Sequence, residues 1–73
     1  MFIPVSRYSN LIDRNKEYLN IDNIYHIVDI INRSKNVYLI KIRYNPTSPV
    51  EEYYINEDAF KALTSYLSKS REF

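Results

Sequence analysis

Glycine is absent from all 73 residues, where average usage of about 7% would supply roughly five. That absence excludes the Walker phosphate loop and the dinucleotide-binding fingerprint, which need a residue without a β-carbon where backbone closes on phosphate. Tight turns must then use asparagine, the other residue that tolerates left-handed backbone. Cysteine is also missing, which excludes disulfides and thiolate metal sites. The single histidine, His26, sits among Ile24, Ile27 and Val28. With no second histidine or cysteine to complete a metal site, it reads as a packed or edge-of-sheet residue. An excess of charge is missing too. Ten basic and nine acidic residues leave a net charge of +1 and a pI of about 7.9, short of the roughly 9 or more of a dedicated nucleic-acid domain. No apolar run approaches the roughly 18 residues of a membrane span. "MFIPVSRYS" has no basic segment leading into an apolar one, so a secretory signal is not expected. The expected compartment is the cytoplasm, with no membrane partner.

What is present is apolar and aromatic. Hydrophobic residues make up 45% of the chain and aromatic residues 15%, including eight tyrosines. This composition belongs to a folded chain rather than a disordered one. A chain of this length is one domain, 1–73, near the limit of what a single core supports, and self-association is the expected supplement. The abundance of asparagine, isoleucine and tyrosine suggests an AT-rich coding sequence, and with it a low-GC bacterium or a phage.

Alternation in "FIPVSRY" reads as a first strand, and "SNLIDRNK" as a turn region with Asn10, Asp13 and Asn15 as candidate turn residues. "EYLNI" makes a short strand, "DN" a tight turn or bulge, and "IYHIVDII" a third strand rich in β-branched residues. "NRSKN" is the next turn, before the strand "VYLIKIRY". Pro46 and Pro49 bracket a loop, because proline cannot donate to a strand ladder. "VEEYYI" resumes as a strand. The period then changes to helical. Asn56 is a suitable N-cap, Glu57 and Asp58 suit the positive end of the helix dipole, and Ala59, Phe60, Leu63, Tyr66 and Leu67 follow at helical spacing. The expected fold is α+β: an antiparallel β-meander of four or five strands with one C-terminal helix, about 57–69, packed on the sheet.

A hairpin loop of residues 45–49 would place Tyr44 opposite Val50, Arg43 opposite Glu51, Lys41 opposite Tyr53 and Leu39 opposite Ile55. In that register the face away from the helix carries Leu39, Lys41, Arg43, Glu51, Tyr53 and Ile55, while Tyr38, Tyr44, Tyr54 and Tyr66 belong to the core. A cross-strand Arg43–Glu51 pair explains much of the charge structurally. The remainder, Lys41 beside Tyr53 with Arg7 near by, is a cation-and-ring surface of the kind that stacks bases and grips phosphate. Arg7, Lys41, Arg43 and Tyr53 are therefore the candidate ligand-binding residues. Leu39, Ile55, Tyr25 and Tyr8 are the candidate interface residues. A loop one residue longer or shorter would exchange the two faces.

No catalytic constellation emerges. Glu51 and Glu52 are neighbours on a strand and point to opposite faces, and no serine lies in a nucleophile-elbow setting. No enzyme activity, cofactor or metal is expected.

Two parts of the chain resemble known families. "IPVSR…KEYLNIDNIYHI" resembles the short β-meander proteins of the flagellar FlbD type, which implies the meander and no particular activity. "IKIRYNPTSPVEEYYINEDAFKALTSYL" is similar to the end of the positive-cofactor-four family of single-strand DNA-binding proteins. That resemblance implies a dimer with Lys41, Arg43 and Tyr53 on the binding surface and Phe60, Leu63 and Leu67 on the helix that packs in the dimer. The expected function is a non-enzymatic, homo-oligomeric binding protein, phage-encoded, that sequesters a nucleotide-like ligand or blocks a host defence protein. The alternatives are a single-strand nucleic-acid-binding dimer, which the near-neutral charge disfavours, and a structural subunit without ligand.

Overall fold

The structure, a computed structural model, describes residues 1–11 and 17–70. Five strands and one helix follow in chain order: β1 (Phe2–Val5), β2 (Glu17–Asn20), β3 (His26–Ser34), β4 (Val37–Arg43), β5 (Glu51–Ile55) and α1 (Glu57–Ser70). This is the expected small α+β fold, with antiparallel strands followed by a C-terminal helix. The strands form two antiparallel sheets, β1–β2 and β3–β4–β5. They meet where Ser6 bridges Tyr54 through two backbone hydrogen bonds of 2.9 and 2.6 Å. The turn candidates Asp13 and Asn15 lie outside the described residues. Asn10 lies in a 3-10 turn, Ser9–Leu11, and "DN" in another, Ile21–Asn23. No helix among the described residues is long and apolar enough to cross a membrane.

The third strand runs three residues further than expected, to Ser34, so the β3–β4 turn shrinks to Lys35 and Asn36. Asn36 has φ 64°, the only left-handed backbone among the described residues, and thus takes the position a glycine would usually hold. Its side chain does a second job: Asn36 Oδ1 accepts the Glu57 backbone N–H at 2.9 Å. Asn56 caps the same helix end, accepting from the Ala59 N–H at 2.8 Å, as its type and position require. Two asparagines on different elements thus satisfy orphan donors of α1 and tie the β3–β4 hairpin to its start.

Register in the β4–β5 hairpin differs from the expectation by one residue. Tyr38 pairs with Ile55, Ile40 with Tyr53, Lys41 with Glu52 and Ile42 with Glu51. The cause is the loop. Asn45–Ser48 is a tight turn closed by Ser48 N–H to the Asn45 carbonyl at 3.2 Å, with Pro46 at its second position, where proline's fixed φ belongs. Asn45 Oδ1 accepts from the Thr47 N–H, and Ser48 Oγ accepts from both the Tyr44 and Asn45 N–H groups. Pairing therefore resumes at Glu51, later than a 45–49 loop requires, and every β5 side chain changes face.

The consequence is a core built from Ile3, Val5, Leu19, Ile21, Ile40, Ile42, Tyr53, Ile55, Ala59 and Leu63. Tyr53 and Ile55, expected on the open face, are 7% and 1% exposed and lie inside. Phe60 stacks flat on Tyr38, centroids 4.0 Å apart. The opposite face of β4 carries Leu39, Lys41 and Arg43. Leu39 is only 5% exposed, between its cross-strand partners Ile31 and Tyr54. The N-terminal amino group sits 2.5 Å from Asp22 Oδ2, and the Tyr66 hydroxyl donates to the other carboxylate oxygen, so β1, the Ile21–Asn23 turn and α1 converge on one acid.

Candidate functional site

Directly after β1 the chain is fixed by the Ser6–Tyr54 bridge, and Ser6 Oγ accepts the Tyr8 N–H at 3.1 Å. That local lock aims Arg7 back across the end of the core. Its guanidinium lies over the Tyr53 ring, 5.0 Å from the centroid, and Nη2 reaches the Tyr53 hydroxyl at 3.4 Å. The Tyr53 hydroxyl is 2.9 Å from that of Tyr44, which the Asn45–Ser48 turn holds in place. Val5, Arg7, Glu17, Tyr18, Leu19, Tyr44 and Tyr53 line a cavity of about 290 Å³ at this end of the fold.

The chemistry of the cavity is mixed. Leu19 and Val5 form an apolar floor, and buried Tyr53 presents its hydroxyl. Tyr18 and Tyr44 (38% exposed) supply accessible rings, and Arg7 is an exposed cation. The long contact to Tyr53 engages one of the guanidinium's five donors. Burial pushes the Tyr44 phenol up to about 12, helped by its hydrogen bond to Tyr53 and the negative charge of Glu51, and opposed by Arg7. Tyr44 is thus held neutral, a donor and acceptor rather than a base.

Of the expected ligand-binding residues, Arg7 and Tyr53 come together. Lys41 and Arg43 do not join them. Lys41 lies on the outer face between Glu52 and Asp29, and Arg43 donates from Nη1 to the Ser48 carbonyl at 2.6 Å, bracing the loop. The expected interface residues divide as well: Leu39 and Ile55 are covered within the chain, whereas Tyr8 and Tyr25 are exposed. Tyr44 was expected in the core, and its place at the cavity follows from the Asn45–Ser48 turn. Asn45 ahead of Pro46, with Ser48 behind, carried the signal for that turn. Among the described residues no three of His, Asp and Glu are grouped to hold a metal ion. No family model, curated protein or solved structure matches the chain, so a functional reading rests on this geometry.

Proposed function

We propose that the chain is a non-catalytic binding protein, that its site is the Arg7–Tyr44–Tyr53 cavity, and that its ligand is a small planar anion of the mononucleotide kind. The observation that carries this reading is the exposed Arg7 guanidinium held over Tyr53 in a cavity that also offers the Tyr18 and Tyr44 rings. A cation beside aromatic faces suits phosphate and base together. The cavity, about 290 Å³, is at the small end of the roughly 300–1,000 Å³ of ligand pockets, which suits one nucleotide rather than a strand. Lys41, on the outer face of the sheet, and Arg43, braced on the Ser48 carbonyl, are the cations a strand would need beside Arg7, and neither lines the cavity.

Calorimetric titration of one purine mononucleotide and its nucleoside, at low and high salt, tests this. The nucleotide should bind, the nucleoside should bind weakly, and Arg7→Ala should weaken the nucleotide about tenfold, the scale of one charge-assisted hydrogen bond. The salt dependence should be shallow, since one phosphate is engaged. Absence of nucleotide binding, or a steep salt dependence with oligonucleotides bound far more tightly, would overturn the reading. Exposed Phe2, Tyr8 and Tyr25 favour a second reading, a protein partner such as a phage target in its host. Capture of that partner should survive Arg7→Ala and fail on Tyr25→Ala.

A further inference from the structure

Strand β3 ends its sheet, and no strand of the described residues pairs with its outer edge. Long free edges invite pairing, and natural proteins usually blunt them. Here the ladder to β4 is interrupted by bulges at Val28 and Arg33, between Ile27 and Asp29 and between Asn32 and Ser34. Between the bulges lies a regular stretch, Asp29–Ile30–Ile31–Asn32. The Ile30 N–H in this stretch is bonded to Asp29 Oδ1 of its own strand, at 2.8 Å on the exposed side. Antiparallel ladders alternate, so an outward Ile30 places Asn32 on the same free edge. This edge is a short, regular strip on which the Ile30 N–H is satisfied by the adjacent Asp29 carboxylate.

We infer that this edge is a self-association surface, and that its occupant is the same strand of a second copy, antiparallel about a two-fold axis through Ile31. The register follows from two independent constraints. Directly opposed residues must both face the partner, which restricts the pairing to Ile30 opposite Ile30, Ile30 opposite Asn32, or shifts by further steps of two. Charge then selects among them. Ile30 opposite Asn32 keeps the paired residues within the regular stretch, sets Ile31 opposite itself and brings Asp29 of each copy beside the bulged Arg33 of the other. A shift of two in the direction that centres on Asp29 sets like charges face to face, the register centred on Ile30 leaves both charged residues opposite isoleucine, and the register centred on Asn32 runs past the Arg33 bulge into the turn after Ser34. Arg33 is exposed and makes no ion pair with another described residue.

The exchange is chemically balanced. Ile30 N–H passes from the Asp29 carboxylate to the Asn32 carbonyl of the other copy, and the released carboxylate meets that copy's Arg33. Beside the strip, Ile27, Asp29, Ile30, Thr64, Leu67 and Ser68 line a mainly apolar groove of about 460 Å³, and Val28 is 43% exposed. Both lie along the same edge, where a two-fold copy would cover them. The β2 edge is less suited, being only four residues long.

Sedimentation equilibrium of the intact chain, with charge reversals on the edge, tests the inference. The wild type should dimerise. Asp29→Arg and Arg33→Asp should each weaken the dimer about tenfold or more by setting like charges opposite each other, and the double reversal should restore it. Wild-type protein monomeric to about 1 mM would overturn the proposal. A dimer indifferent to both single reversals, or one not restored by the double, would overturn it equally. A second variant guards against loss of fold: Ile31→Cys supplies the only thiol and lies at the axis. Opposed residues of that kind have Cα atoms about 4.5 Å apart, within the range a disulfide spans. Mild oxidation should yield a covalent dimer, whereas Thr47→Cys in the β4–β5 loop should not. Equal cross-linking of the two would refute the axis.

Discussion

Tyr53→Phe removes one hydroxyl and nothing else, so its cost can be worked from the contacts that hydroxyl makes. The ring stays, so no cavity opens in the core and Arg7 keeps its place 5.0 Å above the ring centroid. What is lost is the 2.9 Å bond to the Tyr44 hydroxyl and a 3.4 Å contact from Arg7 at the outer limit of hydrogen-bond length. One ordinary hydrogen bond is worth about 0.5–1.5 kcal/mol net, and the long contact adds little. The expected loss is therefore about 1 kcal/mol, or a melting temperature lower by roughly 4–8 °C for a domain of this size. The Tyr44 phenol should respond as well. Burial is the first cause of its rise to about 12 and the hydrogen bond to Tyr53 the second. In the variant its midpoint should fall part of the way toward 10 and stop short of it. Labelled tyrosine rings followed by NMR through an alkaline titration read that midpoint directly, alongside a thermal melt. An unchanged Tyr44 midpoint would refute the hydroxyl pair, and a midpoint of 10 would refute burial as its main cause.

Asn36 should separate its two roles. Asn36→Gly keeps the left-handed turn and loses the cap on Glu57, costing about 1 kcal/mol, while Asn36→Ala loses the cap and keeps a β-carbon there without asparagine's local side-chain hydrogen bonding, and should cost about 1–2 kcal/mol more than the glycine variant in urea melts. Leu63 is fully buried, and Leu63→Ala should cost about 2–5 kcal/mol. That is a large share of the roughly 4–11 kcal/mol expected for a chain of this size, so a thermal melt followed by circular dichroism should show a midpoint lowered by roughly 10 °C or more. The N-terminal amino group and the Tyr66 hydroxyl hold the Asp22 carboxyl below its ordinary value of 3.8. A depressed folded pKa gives stability that is present above 3.8 and lost as pH falls through the folded value. Asp22→Asn should therefore flatten the acid limb of a pH–stability curve and leave the neutral plateau lower.

The helix was legible because its signals are local: Asn56, two acids and an apolar period all lie within a few residues of the structure they specify. Asn36 was foreseeable for the same reason, since a chain without glycine must place asparagine where φ is positive. The β4–β5 faces were not, because register is a property of loop length, and pairing Glu51 with Ile42 rather than Arg43 moved Tyr53 from an open surface to the core. That one slip separated Lys41 and Arg43 from the site, covered Ile55, and brought Tyr44 into it. Arg7 and Tyr53 do meet, but at the end of the core rather than on an exposed sheet. Their meeting depends on the Ser6–Tyr54 bridge, a contact 48 residues apart in the chain that no local pattern announces.

The proposed site for a small anion is where Arg7 crosses Tyr53. An NMR titration of labelled protein with a purine mononucleotide, following backbone amides, the Arg7 guanidinium and the tyrosine rings together, tests it most directly. Saturable shifts should concentrate at Arg7, Tyr18, Tyr44 and Tyr53, with Lys41 and Arg43 still. Shifts centred on Lys41 and the outer face of the sheet, or none at about 1 mM ligand, would contradict it.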